Sequence, residues 1–214
     1  MPKSQDGLDA ASLARYTSSA ISASAEVIRS YSTSFGMATK LLKQPVRSHV
    51  QNIYALVRVA DEIVDGAAAG ALGRTSEFTL STELEKLEQE TYKAMSSGFS
   101  TNLIVHAFAH TAREVGISRD IVEPFYYSMR MDLLQTKHDQ KSFDKYVYGS
   151  AEVIGLMCLK VFMVGESKNS ADTNTLIEGA KALGSAFQKV NFLRDLKADS
   201  SSLGRSYFPG INLN

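Results

Sequence analysis

Tyr54, Arg58, Asp61 and Asp65 follow one another at intervals of four, three and four residues. The positions between them are Ala55, Leu56, Val57, Val59, Ala60, Glu62, Ile63 and Val64, all apolar but one. At about 100° per residue, the four polar side chains fall within a narrow arc of one helix face. An ordinary surface helix sets its acids opposite its apolar residues. A polar stripe flanked by Val and Ile predicts instead a helix that lines a cavity. A second segment repeats the device: Gln188, Asn191, Asp195 and Asp199 are spaced by three, four and four, with Arg194 beside them. Arg205 and Tyr207 follow across a polar loop that contains Ser200, Ser201 and Ser202.

The rest of the chain has to supply helices around these two. Only four prolines occur in 214 residues, and no run alternates apolar and polar residues between turn signals. The periodicity predicts helices over roughly 8–30, 36–43, 47–66, 76–95, 101–114, 118–137, 143–164 and 171–199. Gly66–Gly73 (GAAAGALG) reads as a loop, and Glu83–Glu90 (ELEKLEQE) as a solvated helix face. The expectation is one all-α domain over residues 1–214, its helices packed around a central space.

The two stripes carry a chemistry. Mg²⁺ prefers hard oxygen ligands and is usually held by one or two carboxylates plus substrate phosphate oxygens. Aspartates one turn apart can share or flank such ions. Two such helices can surround a diphosphate with several metals, which neutralise the charge that grows as a carbon–oxygen bond breaks. Arginines add bidentate donors to phosphate oxygens. One Asp-x-x-x-Asp pair alone reads as a solvated face. Paired stripes containing Arg, Asn and Gln, on two largely apolar helices, read as a metal–phosphate site that does not name its substrate.

Other features bound the function. Twenty-three basic residues balance twenty-three acidic ones, so no basic field points to nucleic acid. The lone cysteine, Cys158, allows no internal disulfide and fits a reducing compartment. The polar N-terminus lacks the apolar core of a signal peptide, and no stretch reaches the length of a spanning helix. The reading is a cytoplasmic protein, with peripheral contact at the inner membrane face as its one membrane role. His106 and His110 form an H-x-x-x-H pair without a third ligand and read as surface or packing residues. Lys40, Lys43 and Arg47 read as a solvated helix end, with anionic lipid or diphosphate as the alternatives.

The quoted residues resemble the squalene/phytoene synthase family. Leu183–Asp199 (LGSAFQKVNFLRDLKAD), continuing to Arg205-Ser206-Tyr207-Phe208-Pro209, is similar to the family's second signature. Asp61-Glu62-Ile63-Val64-Asp65, preceded by Tyr54 and Arg58, resembles its first aspartate-rich motif. Tyr31-Ser32-Thr33-Ser34-Phe35 resembles the Ser-Phe segment at the diphosphate site. Met129–Leu133 (MRMDL) and Tyr146–Gly155 (YVYGSAEVIG) resemble two further segments, the first typical of phytoene synthases. Glu62 stands for the second Asp often found in the first motif, and Glu152 for a small residue.

The resemblance implies an isoprenoid-synthase helical bundle that lacks its C-terminal helices in this chain. It implies Mg²⁺, with Mn²⁺ as a substitute, on Asp61, Asp65, Asn191, Asp195 and Asp199, and no nicotinamide. It places Arg58, Gln188, Arg194 and Arg205 on substrate or diphosphate. Tyr31, Ser32, Thr33, Ser34 and Tyr54 would line the diphosphate pocket, while Phe35, Tyr146 and Tyr207 would line the cavity near a carbocation. The implied reaction joins two geranylgeranyl diphosphates head to head, through a cyclopropyl diphosphate, to phytoene, the first step of carotenoid biosynthesis. The alternatives are a squalene- or dehydrosqualene-type synthase using farnesyl diphosphate, and a truncated, non-catalytic binding or assembly protein. The implied partners are prenyl diphosphates, with peripheral membrane contact for product release.

Overall fold

A computed structural model describes residues 5–72, 77–135, 138–166 and 170–198, and among these every regular element is helical, as expected. In order they are α1 (Gln5–Tyr31), α2 (Thr33–Thr39), α3 (Val46–Val64), α4 (Ala67–Leu72), α5 (Glu77–Ser97), α6 (Leu103–Val115), α7 (Arg119–Leu134), α8 (Gln140–Val147), a π-helical turn (Tyr148–Glu152), α9 (Val153–Phe162) and α10 (Ser170–Ala198).

Local chemistry sets several of these boundaries. α2 starts three residues before its predicted position because the Ser32 hydroxyl caps it, accepting from the Phe35 amide at 3.2 Å. α6 is capped by Asn102, whose Oδ1 accepts from the amides of Ile104 and Val105 at 3.1 and 3.4 Å. It ends at Gly116, which takes φ +73°. The expected loop at 66–73 is a correction: Ala67–Leu72 is helical. Alanine favours the helix, and the Glu62 carboxylate accepts the Ala67 amide at 3.0 Å where the new helix begins.

The predicted continuous helix over 143–164 is also corrected, because the π turn interrupts it between α8 and α9. Two contacts account for the break. The Ser128 hydroxyl of α7 donates to the Tyr146 carbonyl at 3.1 Å, taking an acceptor out of the regular ladder. Gly149 lies so close to α7 that a Cβ there would sit 2.1 Å from the Pro124 carbonyl oxygen.

The helices form two compact units, Met1–Val59 with Lys86–Gly116, and Ala60–Glu85 with Ile117–Asn214. In the first, α1 and α3 pack on α6. Tyr16 donates to the Thr101 carbonyl at 2.9 Å, and Asn52 Nδ2 donates to Thr111 Oγ1 at 3.0 Å. Ile28, Ile53, Leu56, Val105 and Phe108 are buried there, each worth about 1.5–3 kcal/mol of transfer free energy. In the second, Met131, Phe143, Tyr146, Val147 and Phe192 form one buried cluster that joins α7, α8 and α10. No helix among the described residues is long and apolar enough to cross a membrane.

Candidate functional site

The first unit assembles a cationic cradle. The Arg58 guanidinium carbon on α3 lies 5.3 Å from the Tyr31 ring centroid and 5.9 Å from that of Tyr54. The Phe35 ring stacks on Tyr54 at 5.5 Å, with 25° between the planes. Tyr31 ends α1 and Phe35 lies in the first turn of α2, so the link at Ser32 sets both rings against α3. Arg58 is thus flanked by two π faces, which attract its charge and restrict its rotamers. A planar fork restrained in this way suits bidentate binding of a phosphate group. The Ser32 hydroxyl is engaged in the α2 cap, while Thr33 and Ser34 are exposed beside it.

The acidic pair stands at the C-terminal end of α3. Asp61 and Asp65 are half-buried, one turn apart, and the Asp65 amide donates to the Asp61 carbonyl at 2.8 Å. On α10, Gln188 and Asn191 are half-buried and Arg194 is exposed. Gly184, one turn before Gln188, approaches the π turn so closely that a Cβ would lie 2.5 Å from the Ala151 carbonyl oxygen. The helix is thereby seated by its backbone on the turn that carries Glu152. Asp195 lies on α10, but its side chain, together with Asp199, Arg205 and Tyr207, is outside the described residues. Among the described residues, no three His, Cys, Asp or Glu side chains converge as a metal site. The donors present, two carboxylates one turn apart and an asparagine amide, are the hard oxygen ligands that suit Mg²⁺.

Three arrangements escape sequence spacing. Tyr146 is buried, and its hydroxyl donates to the buried Asp132 carboxylate at 2.7 Å. Its ring lies 5.9 Å from Phe192, the neighbour of Asn191, and 5.3 Å from His138. Asp132 and Tyr146 stand on different helices, so only the MRMDL and YVYGSAEVIG segments hinted at either. Glu152 lies half-buried in the π turn. Burial pushes its carboxyl above the ordinary range, while Lys181 and Lys189 of α10 pull it back. His106, half of the H-x-x-x-H pair, is a buried packing residue: its Nε2 pairs with Thr17 Oγ1 at 2.9 Å, and the Ser100 amide donates to its Nδ1 at 3.4 Å.

Comparison with known proteins places these features in a context. The family model for squalene/phytoene synthase matches residues 28–213. A chloroplastic phytoene synthase 3 of Zea mays is 32% identical over 188 residues, covering 86% of this chain and 41% of that protein. A 15-cis-phytoene synthase of Pantoea ananas is 29% identical over 183 residues, covering 83% of this chain and 56% of its own length. The chain therefore spans about half, or less, of the curated relatives it matches. A solved dehydrosqualene synthase superposes with a TM-score of 0.73 at 22% identity, covering 91% of this chain and 62% of that structure. The squalene synthase HpnC of Alicyclobacillus acidocaldarius gives 0.72 at 20% identity, with 90% and 67% covered. These two likenesses establish the isoprenoid-synthase helical fold.

Proposed function

Because the chain belongs to the squalene/phytoene synthase family, we propose that it serves the head-to-head condensation of two geranylgeranyl diphosphates to phytoene. The observation that carries the proposal is the Arg58 fork held between Tyr31 and Tyr54, with Asp61 and Asp65 following on the same helix face. The forty-carbon product is favoured over a thirty-carbon one by the curated relatives, which include phytoene synthases at about 30% identity over 86% of this chain.

The residues divide the work. Arg58, with Tyr31, Ser32, Thr33, Ser34 and Tyr54 around it, receives one diphosphate; Gln188, Arg194 and Arg205 receive the other. Asp61, Asp65, Asn191, Asp195 and Asp199 would hold Mg²⁺, and the chemistry such ions supply is neutralisation of charge on the leaving diphosphate. The allylic cation adds to the double bond of the second molecule, and loss of a proton from the resulting cation closes the ring to give a cyclopropyl diphosphate. That species ionises in turn, rearranges and loses a proton. Phe35, Tyr146 and Tyr207 are the aromatic residues that the resemblance sets near the carbocation, where ring faces favour positive charge. The hydrogen bond from Tyr146 to Asp132 enriches the phenol oxygen and fixes the ring.

The test is incubation of folded protein with Mg²⁺ and either geranylgeranyl or farnesyl diphosphate, followed by hydrocarbon analysis. Forty-carbon product is expected. Thirty-carbon product from farnesyl diphosphate alone would move the chain to the squalene or dehydrosqualene reading. Absence of product from both would leave a binding or assembly protein.

A further inference from the structure

We propose that α2 and the turn after it, Phe35 to Lys43, form a surface by which this chain docks on an anionic lipid bilayer.

Charge is the first observation. No acidic residue occurs between Glu26 and Asp61, whereas Arg29, Lys40, Lys43, Arg47 and Arg58 all fall there. In a chain of zero formal net charge, this is a local excess of one sign, offset by an acidic excess elsewhere.

Exposure is the second. Leu41 is 86% exposed, more than any other large apolar residue among those described, and Met37 is 58% and Phe35 43% exposed. Lys40 and Lys43 are exposed on either side of Leu41.

The third is that the turn is built. Arg47 reaches back from α3, its Nε donating to the Leu42 carbonyl at 2.9 Å and its Nη2 to the Lys40 carbonyl at 2.7 Å. The amides of Lys40, Leu41 and Leu42 donate to the carbonyls of Met37, Ala38 and Thr39, each at 3.1 Å. Leu41 is therefore held outward on a braced turn, not left on a loose loop.

An apolar tip ringed by lysines matches the boundary of an anionic bilayer. The Leu and Met side chains enter the acyl margin, and the ammonium groups meet lipid phosphates. Phe35 belongs both to this surface and to the Tyr54 stack. Docking therefore sets the Arg58 cradle beside the lipid–water boundary, where a long-chain diphosphate would partition. That last consequence rests on the proposed substrate; the docking itself does not.

The experiment is flotation of the protein with vesicles of phosphatidylcholine alone or containing phosphatidylglycerol, at low and high salt, with circular dichroism to verify folding. The wild-type chain should float with the anionic vesicles and lose binding as salt rises. Lys40→Gln with Lys43→Gln should lower the partition coefficient roughly 25-fold. Leu41→Asp should lower it by about ten-fold or more. Lys160→Gln, which removes an exposed lysine of α9, should leave it unchanged. Failure of the folded wild-type chain to bind anionic vesicles, or undiminished binding by Leu41→Asp, overturns the proposal. So does a concentration-dependent rise in mass without vesicles that Leu41→Asp abolishes, which would assign the surface to a second copy of the chain. No turnover is read, so this outcome and that of the condensation assay are independent.

Discussion

α3 and α10 carry similar polar stripes, yet the structure surrounds them differently. On α3, Tyr54 and Arg58 have side-chain partners at specific geometry, and Ile53 and Leu56 are buried behind them. On α10, Gly184 makes a close backbone seat on the π turn and Phe192 is buried against Phe143 and Tyr146. Beside that seat run Leu183, Phe187, Val190 and Leu193, each 60% exposed or more. α3 is thus an amphipathic helix whose polar face is organised by aromatic rings. α10 buries Phe192 but leaves other apolar side chains exposed, interspersed with its polar ones. One spacing rule identifies both stripes, but their support comes from different physics: ring stacking in one, backbone proximity in the other.

The largest effect should come from Asp61→Ala. It is expected to abolish turnover, a loss of about 10³-fold or more, with unchanged circular dichroism. Asn191→Ala and Asp195→Ala should follow if the stripes act together. Near-normal product formation by Asp61→Ala would sink the metal assignment, whereas normal activity in both α10 variants would confine it to α3.

The next effect separates the two kinds of support. Gly184→Ala forces a Cβ against the Ala151 carbonyl and should cost about 1–3 kcal/mol, read as a fall in Tm. At Gly36 of α2 a Cβ would meet only the Ile28 carbonyl, at an ordinary 3.5 Å. Gly36→Ala should therefore be neutral or stabilise by up to about 1 kcal/mol. Equal losses at the two sites would remove the contrast. Tyr54→Leu, which removes the Phe35 stack, should cost about 0.5–1.5 kcal/mol and weaken substrate binding more than folding.

The same contrast explains what the sequence disclosed. Helical periodicity gave the all-α class and most helix positions, since each depends on neighbours three and four residues away. It placed Arg58, Asp61 and Asp65 on one face for the same reason. The π turn was hidden because it depends on Ser128 and Pro124 meeting Tyr146 and Gly149 across two helices. α4 was hidden because three glycines in an alanine-rich segment look like a loop until the Glu62 carboxylate supplies its cap. The Tyr31–Arg58 contact joins residues that no local pattern relates, and only the family resemblance had set both at a diphosphate.

The smallest effects should be those of mild acid, and their signs should differ between the two regions. Burial holds His106 and His49 below the usual histidine range, with His110 adding to the depression of both and Glu114 opposing it at His49. A neutral His106 is also what its bonds require, since the Ser100 amide donates to Nδ1 and leaves Nε2–H for Thr17. The unfolded chain takes up these protons first, near pH 6.5. Stability contributed by the α1–α6 contact is therefore complete above that pH and is lost as pH falls towards the depressed native values. Glu152 behaves oppositely: its carboxyl is raised by burial, so the cost of keeping it charged is relieved as pH falls through the raised value. Hydrogen exchange at pH 7.5 and 5.5, corrected for intrinsic rates, should show α1 and α6 losing protection while the π turn and α9 hold or gain it. His106→Asn should flatten the first response and Glu152→Gln the second. A common loss across both regions would mean that acid acts on the chain as a whole and not through these buried groups.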